Sequence, residues 1–198
     1  MSKTNIAIQV FTDGSCRPKK HPNGDYHGPG GWAAIVIVDG VTTELTGGEH
    51  QTTSNRMELM AVITGLEHTM DWLGAAHITS DSKYVVDNAT KQLKRWRKNG
   101  YMGWANGPVP IRNQNLWERL DAALNATGRR ITWEWVRAHN KHPENERADS
   151  LAVSARNQHI QNHAAPINRP AWLEIEIAKI GDTKPGRRNF MYRGPKKG

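Results

Sequence analysis

Three acidic residues of the 198-residue chain stand where a chemical site could be assembled. Asp13 ends one alternating apolar stretch and Asp81 ends another, while Glu58 follows the capping segment Thr52-Thr53-Ser54-Asn55 in what reads as a first helical turn. Ligand sites in open sheets favour strand ends, and carboxylates brought close to one another need a positive charge between them. Hard divalent cations take carboxylate oxygens, and Mg²⁺ in particular keeps several waters and uses phosphate as a further ligand. Taken singly, each residue also has a plainer reading. Asp13-Gly14 and Asp81-Ser82 are ordinary turn sequences, and Glu58 suits the positive end of a helix dipole.

The elements that must position these residues follow from periodicity. Ile6, Ile8 and Val10 alternate with Ala7 and Gln9 as a strand that ends in a turn at Thr12-Asp13-Gly14-Ser15. Residues 17–30, rich in Pro and Gly, read as a loop. A β-branched run from Trp32 to Val38 turns at Asp39-Gly40 and returns over Val41 to Thr46. A helix is predicted over 55–73, with Leu59, Val62, Ile63 and Leu66 on one stripe. A short strand, His77 to Thr79, precedes a second helix over 83–89, capped by Ser82 or Asp81. A basic, aromatic stretch over 90–112 leads to a helix marked by Leu116, Leu120, Ala123 and Leu124 and stopped at Gly128. Ile131, Trp133 and Trp135 mark a fifth strand, and Pro143 opens a last helix carrying Asp149. The pattern is an α/β fold, a five-stranded mixed sheet flanked by helices.

Composition bounds the partners. Lys and Arg number 27 against 19 Asp and Glu, a net +8 that points to a polyanion, nucleic acid before an acidic membrane surface. The residues from Pro166 onward hold eight basic and three acidic side chains, leaving +3 for the rest. Residues 157–170 read as a linker and 171–198 as a basic C-terminal extension, so the catalytic domain is expected over 1–156. Cys16 stands alone, which excludes a disulfide framework and a cysteine-based zinc cluster. With neither a signal-peptide pattern nor an apolar run near the ~20 residues that span a bilayer, a cytoplasmic monomer is expected.

Five segments resemble the motifs of ribonuclease H, type 1. They are Phe11-Thr12-Asp13-Gly14-Ser15-Cys16, Thr53-Ser54-Asn55-Arg56-Met57-Glu58-Leu59, Ser80-Asp81-Ser82-Lys83-Tyr84-Val85, Trp133-Glu134-Trp135-Val136-Arg137-Ala138-His139, and His142-Pro143-Glu144-Asn145-Glu146-Arg147-Ala148-Asp149. Each motif is weak alone, but the five occur in order and at compatible spacing over about residues 5–156. The resemblance implies an endonuclease that hydrolyses the RNA strand of RNA·DNA hybrids. Asp13, Glu58, Asp81 and Asp149 would hold two Mg²⁺ ions, with Mn²⁺ as a substitute. Such a pair can activate a water and stabilise the leaving oxygen of an in-line displacement, giving 5′-phosphate and 3′-hydroxyl ends. Removal of RNA primers and R-loops would be its task.

The resemblance also assigns supporting roles. His139 would move protons and assist product release. His142 competes with it, and the pair alone could suggest zinc, but only Cys16 and scattered histidines could complete the set. Glu146, three residues from Asp149 and on the same helical face, would stand behind the ligands or join them transiently. Cys16, Ser54, Asn55 and Lys83 would meet 2′-hydroxyls and the minor groove. Ser54 and Lys83 stand where Asn and Gln are common in bacterial relatives. Thr53 and Asn113 would form a DNA phosphate pocket. The segment Lys91 to Lys98 resembles the family's basic protrusion; Lys94, Arg95, Arg97 and Lys98 would neutralise phosphates, with Trp96 as anchor or sugar platform and Trp104 beside it. The 17–30 segment is longer than the compact turn the family pattern would place there, and Asn23 is its candidate contact.

Competing readings are a hybrid-binding module without activity, a nuclease part of a larger polymerase, and a resolvase- or transposase-like core. The intact carboxylate set argues against the first, the absence of a polymerase-sized region against the second, and the Asn55-to-Glu58 and His142-to-Asn145 motifs against the third.

Overall fold

A computed structural model describes residues 8–72, 74–103, 107–138 and 142–162 of the chain. Expectations for Trp104, His139 and residues 163–198 lie outside the described residues.

The first strand, β1 (Ile8–Cys16), is the centre of the sheet. It pairs antiparallel with β3 (Tyr26–Val38), which pairs antiparallel with β4 (Val41–Thr52). On its other side β1 runs parallel to β5 (Ala76–Ser80), and β5 parallel to β8 (Ile131–Trp135). The long strands thus lie in the order β4-β3-β1-β5-β8, and the two-residue β2 (Lys19–Lys20) adds to the start of β3. Asp39 and Gly40 both have positive φ, 50° and 77°, the geometry of a two-residue turn matched to the twist of a hairpin.

Both faces of the central strands are apolar, because successive side chains alternate. Val10 and Val36 face a core with Leu59, Val62, Ile63 and Leu66 of α1 (Ser54–His68) and Leu116, Trp117 and Leu120 of α4 (Gln114–Thr127). Phe11 and Ile35 face the other way, against Ala148 and Leu151 of α5 (Pro143–Asn162). Between β5 and α4 lie α2 (Lys83–Lys91), α3 (Leu93–Lys98) and a small ribbon of β6 (Met102–Gly103) and β7 (Val109–Pro110).

Several boundaries differ from the sequence reading. Thr12 to Cys16 continue β1 instead of forming a turn, because β3 supplies pairing partners as far as Gly30. Residues 17–30 are not one loop: β2 and the start of β3 form a hairpin, tightened by Asn23, whose side chain bonds the Asp25 carboxylate at 2.8 Å. The return strand β4 runs on to Thr52. Helix α1 stops at His68, where the Thr69 hydroxyl donates to Leu66 O at 2.9 Å and Arg129 Nη1 donates to Thr69 O at 2.7 Å. The stretch 90–112 holds a helix and a ribbon. Helix α5 extends to Asn162, so residues 157–162, placed in the linker by composition, are helical.

Candidate active site

Strand register brings the first two carboxylates together. β1 and β5 run parallel with Thr12 opposite Ser80, the last pair. Asp13, still within β1, and Asp81, just past the end of β5, follow this pair and come side by side where the β1–β5 pairing stops. Ser82 caps α2, its hydroxyl accepting from Val85 N at 3.4 Å, which leaves the Asp81 carboxylate uncommitted to capping. Glu58 arrives from the other direction. Thr53 caps α1 through a bond from Arg56 N, which makes Glu58 the fifth helical residue, past the first turn in which the sequence reading placed it. A side chain there is poorly placed to serve the helix dipole.

One oxygen from each of Asp13, Glu58 and Asp81 lies within 4.8 Å of the other two. Asp13 is only 6% exposed, and Glu58 Oε2 is buried with no hydrogen-bond partner. Burial, and then the charges of Asp81 and Asp149, push the Asp13 carboxyl up to about 7. Burial likewise raises Glu58 well above the ordinary carboxylate range, with Asp13 and Asp81 adding to it. Asp81 is raised by burial, against a hydrogen bond from Asn145 that favours its ionised form. The backbone N–H of Gly14 lies near both carboxylates and opposes these shifts, favouring the ionised forms of Asp13 and Glu58. Asp149 on α5 acts on Asp13 and Asp81 through its charge but stands outside the trio. Glu146 is in the first turn of α5, its backbone amide donating to His142 O at 3.0 Å.

A buried, unpartnered carboxylate oxygen beside two more carboxylates is costly unless a cation joins them. The oxygen-only donor set suits a hard divalent ion. Asp13, Glu58 and Asp81 would hold it, with Asp149 at the edge.

The other expected residues are spread around this centre. Cys16 Sγ lies 3.4 Å from Thr52 O and 3.7 Å from Gly28 O, and burial pushes its thiol up. Ser54 and Asn55 are exposed at the start of α1. Asn113, with φ 59°, donates to the Tyr84 hydroxyl at 3.2 Å. Lys83 places its ammonium 4.4 Å from the Trp135 ring centre. Lys94, Arg95 and Lys98 line an open groove of about 380 Å³ with Lys91 and Asn99. Trp96 packs edge-on against Trp117 at 5.1 Å, so it anchors α3 to the core. Arg97 departs from its neighbours: its guanidinium binds the buried Asp121, with the Nε contact at 2.6 Å, and Tyr101 OH donates to the same carboxylate at 2.6 Å. His142 stacks near Phe11 at 5.2 Å and pairs with Glu144 at 3.2 Å.

Sequence reasoning gave no role to three residues that shape the site. Asn145, 1% exposed, hydrogen-bonds Asp81; its spacing of four from Asp149 on one helix face was the available signal. Trp135 Nε1 donates to Asp81 O at 2.8 Å, which no local pattern announces. Gly14 lies where a Cβ would be 2.3 Å from Glu58 N and 2.6 Å from Met57 C.

Comparison with known proteins gives the family. The RNase H family model matches residues 5–157. The ribonuclease H of Alcanivorax borkumensis is 46% identical over 145 residues, covering 73% of this chain and 88% of the relative. The ribonuclease HI of one Pseudomonas putida strain is 44% identical over 146 residues, covering 74% and 90%. Among solved structures, LC9-RNase H1, a type 1 RNase H with the type 2 active-site motif, superposes with a TM-score of 0.65 at 28% identity, covering 80% of this chain and 76% of the other. The fold and site thus define a nuclease of the ribonuclease H class. The chain belongs to the RNase H family and resembles its bacterial type 1 enzymes.

Proposed function

We propose that this enzyme hydrolyses the RNA strand of RNA·DNA hybrids, with Asp13, Glu58, Asp81 and Asp149 holding two divalent cations, Mg²⁺ or Mn²⁺ in its place. The observation that carries the reading is the convergence of Asp13 from within β1, Asp81 from just past β5 and Glu58 from α1, with one buried oxygen left unpartnered. When bound, the ions would supply water activation and charge stabilisation at the leaving oxygen, and the products would be 5′-phosphate and 3′-hydroxyl ends. Primer removal and R-loop clearance follow from that chemistry.

The chain's own groups do the rest. Asn145 and Trp135 hold Asp81 by side chain and backbone. The Gly14 backbone N–H favours the ionised forms of Asp13 and Glu58, and the absence of a side chain at Gly14 lets α1 approach β1. His139, from its place in the motif, moves the proton at the leaving oxygen. Glu146 stands behind Asp149. Cys16, Ser54, Asn55 and Lys83 meet the RNA strand's 2′-hydroxyls, and Thr53 with Asn113 meets a DNA phosphate. Thr53 does so while its hydroxyl also caps α1. Lys94, Arg95 and Lys98 neutralise DNA phosphates from α3, which Trp96 and Arg97 fasten to the core. The catalytic domain runs from the N-terminus through α5, and the basic extension adds to nucleic-acid affinity. No described helix is long and apolar enough to cross a membrane, and the enzyme works as a cytoplasmic monomer.

A gel assay of labelled RNA in RNA·DNA, RNA·RNA and single-stranded form tests the reading. Cleavage restricted to the hybrid and abolished by chelator supports it. Cleavage of all three forms, or cleavage that survives the chelator, rejects it.

A further inference from the structure

Beside the carboxylates, Arg17 and Arg156 carry charge that no acidic side chain pairs among the described residues. Arg156 lies seven residues after Asp149 on α5, hence on the same face. Its Nη1 donates to Ser15 Oγ at 2.6 Å, and Ser15 lies two residues past Asp13 on β1, hence on the same side of the sheet. The two elements thus leave the carboxylates together and meet again at Ser15 and Arg156, about 7 Å along the strand and about 10 Å along the helix.

The contact is built rather than incidental. At Gly31, which pairs with Ser15, a Cβ would come 2.2 Å from Arg156 N, so α5 rests directly on the β3 backbone there. Arg17 is fixed in place by its amide, which donates to Pro29 O at 3.0 Å, while its side chain stays exposed. Arg156 Nε and Nη2 both donate to Asn157 Oδ1, at 3.4 and 3.2 Å. An arginine can only donate, so Asn157 turns its oxygen to the guanidinium and keeps its amide N–H groups for another partner. Arg17, Asn157, Ile160 and Gln161 line an open groove of about 290 Å³. Among the described residues its walls offer a guanidinium and two amides and no carboxylate. Among the described residues neither arginine forms an ion pair. Burial, and then the charge of Arg17, lower the Arg156 pKa below the ordinary arginine value, although the Asp149 carboxylate acts in the opposite direction. Two like charges held this way gain from an anion between them.

We propose that Arg17, Asn157 and Gln161, with the charge of Arg156 behind Asn157, form a seat for one backbone phosphate of the substrate's RNA strand, away from the cut. At a rise of about 3.4 Å per nucleotide, the displacement from Asp13 and Asp149 corresponds to roughly two or three nucleotides. The strand assignment rests on the hybrid-cleavage reading, which puts the intervening Cys16 against 2′-hydroxyls. The seat lies along β1 and α5, on different elements from the basic groove of α2 and α3, so the two grip the duplex independently.

The test is binding of the full chain to a labelled hybrid under chelator, across a salt series. Arg17→Ala should weaken binding roughly three- to tenfold and make the log–log salt slope shallower by about 0.9. Arg17→Lys should keep the slope. Gln161→Ala should weaken binding without changing the slope. A single uncharged linkage walked along the RNA strand should reduce wild-type affinity at one position, and that loss should vanish in Arg17→Ala. Unchanged affinity and slope in Arg17→Ala overturn the seat, as does a sensitive linkage found only on the DNA strand. Arg17 and Gln161 are exposed, so their variants fold. If the wild-type chain cuts no hybrid, the reading of function fails separately.

Discussion

A methyl group on Gly14 would lie 2.3 Å from the backbone nitrogen of Glu58. No side chain fits between β1 and α1 at that point, and this close approach holds the backbone N–H of Gly14 near the Asp13 and Glu58 carboxylates. Gly14→Ala must therefore push the helix off the strand. Overpacking of this kind costs about 1–3 kcal/mol. Cleavage should fall further than that loss of stability explains, because the carboxylates separate. Urea melts and cleavage rates on the same preparation check this; a variant with wild-type stability and rate would mean the contact relaxes freely.

The carboxylate cluster makes stability depend on pH in an unusual direction. The folded chain holds a proton on the Asp13 carboxyl up to about pH 7, whereas an unfolded aspartate releases it near its ordinary value of 3.8. Between those limits the folded state binds more protons, so stability falls as pH rises. Without divalent cations the thermal midpoint should be higher at pH 5 than at pH 8. Added Mg²⁺ should raise it more at pH 8, where the carboxylates are ionised. Calorimetry at the two pH values reads this directly, and a metal-free midpoint that climbs from pH 5 to pH 8 contradicts it.

Asp13→Asn removes one of the crowded charges. The metal-free variant should be more stable than wild type at pH 8, by about 1–3 kcal/mol, while losing cleavage. A destabilised variant would show that the charge is already compensated within the protein.

Asn145 and Trp135 reach Asp81 from α5 and β8. Asn145→Ala removes the hydrogen bond that favours the ionised Asp81, so the Mg²⁺ needed for half-maximal cleavage should rise at neutral pH and recover in part as pH is raised. Trp135→Phe should lower the rate with less change in metal demand, because only the backbone of Asp81 is released. A metal titration that is identical for wild type and Asn145→Ala would remove Asn145 from the site.

How much of this was legible in the sequence differs by element. Asp13 and Asp81 were visible because apolar alternation stops at both, and pairing of Thr12 with Ser80 then sets them side by side. The turn read at Asp13-Gly14-Ser15 failed because the partner strand β3, remote in sequence, extends the ladder past a local turn signal. The 17–30 segment hid its hairpin for the same reason: β2 is two residues long and has no periodicity to read. Arg97 looked like its basic neighbours, since nothing local tells that its partner Asp121 is buried on α4.

That buried pair gives its own prediction. Burial alone would raise the Asp121 carboxyl, but hydrogen bonds from Arg97 and Tyr101 outweigh it and hold it below the ordinary range. Arg97→Ala leaves the carboxylate with Tyr101 and should cost about 1–3 kcal/mol, whereas Lys94→Ala should cost little and mainly weaken hybrid binding. Comparing chemical melts with binding isotherms separates the two roles; equal stability for both variants would return Arg97 to the nucleic-acid surface.

Single-turnover cleavage of a labelled RNA·DNA hybrid, titrated with Mg²⁺ for wild type and for Asp13→Asn, Glu58→Gln and Asp81→Asn, bears most directly on the carboxylate centre. Wild type should cut the RNA strand only with the ion present and leave 5′-phosphate ends, and each variant should bind hybrid but lose at least ~10³-fold in rate at any Mg²⁺ concentration. Cleavage at near wild-type rate by any of the three variants would contradict a metal centre built on these carboxylates.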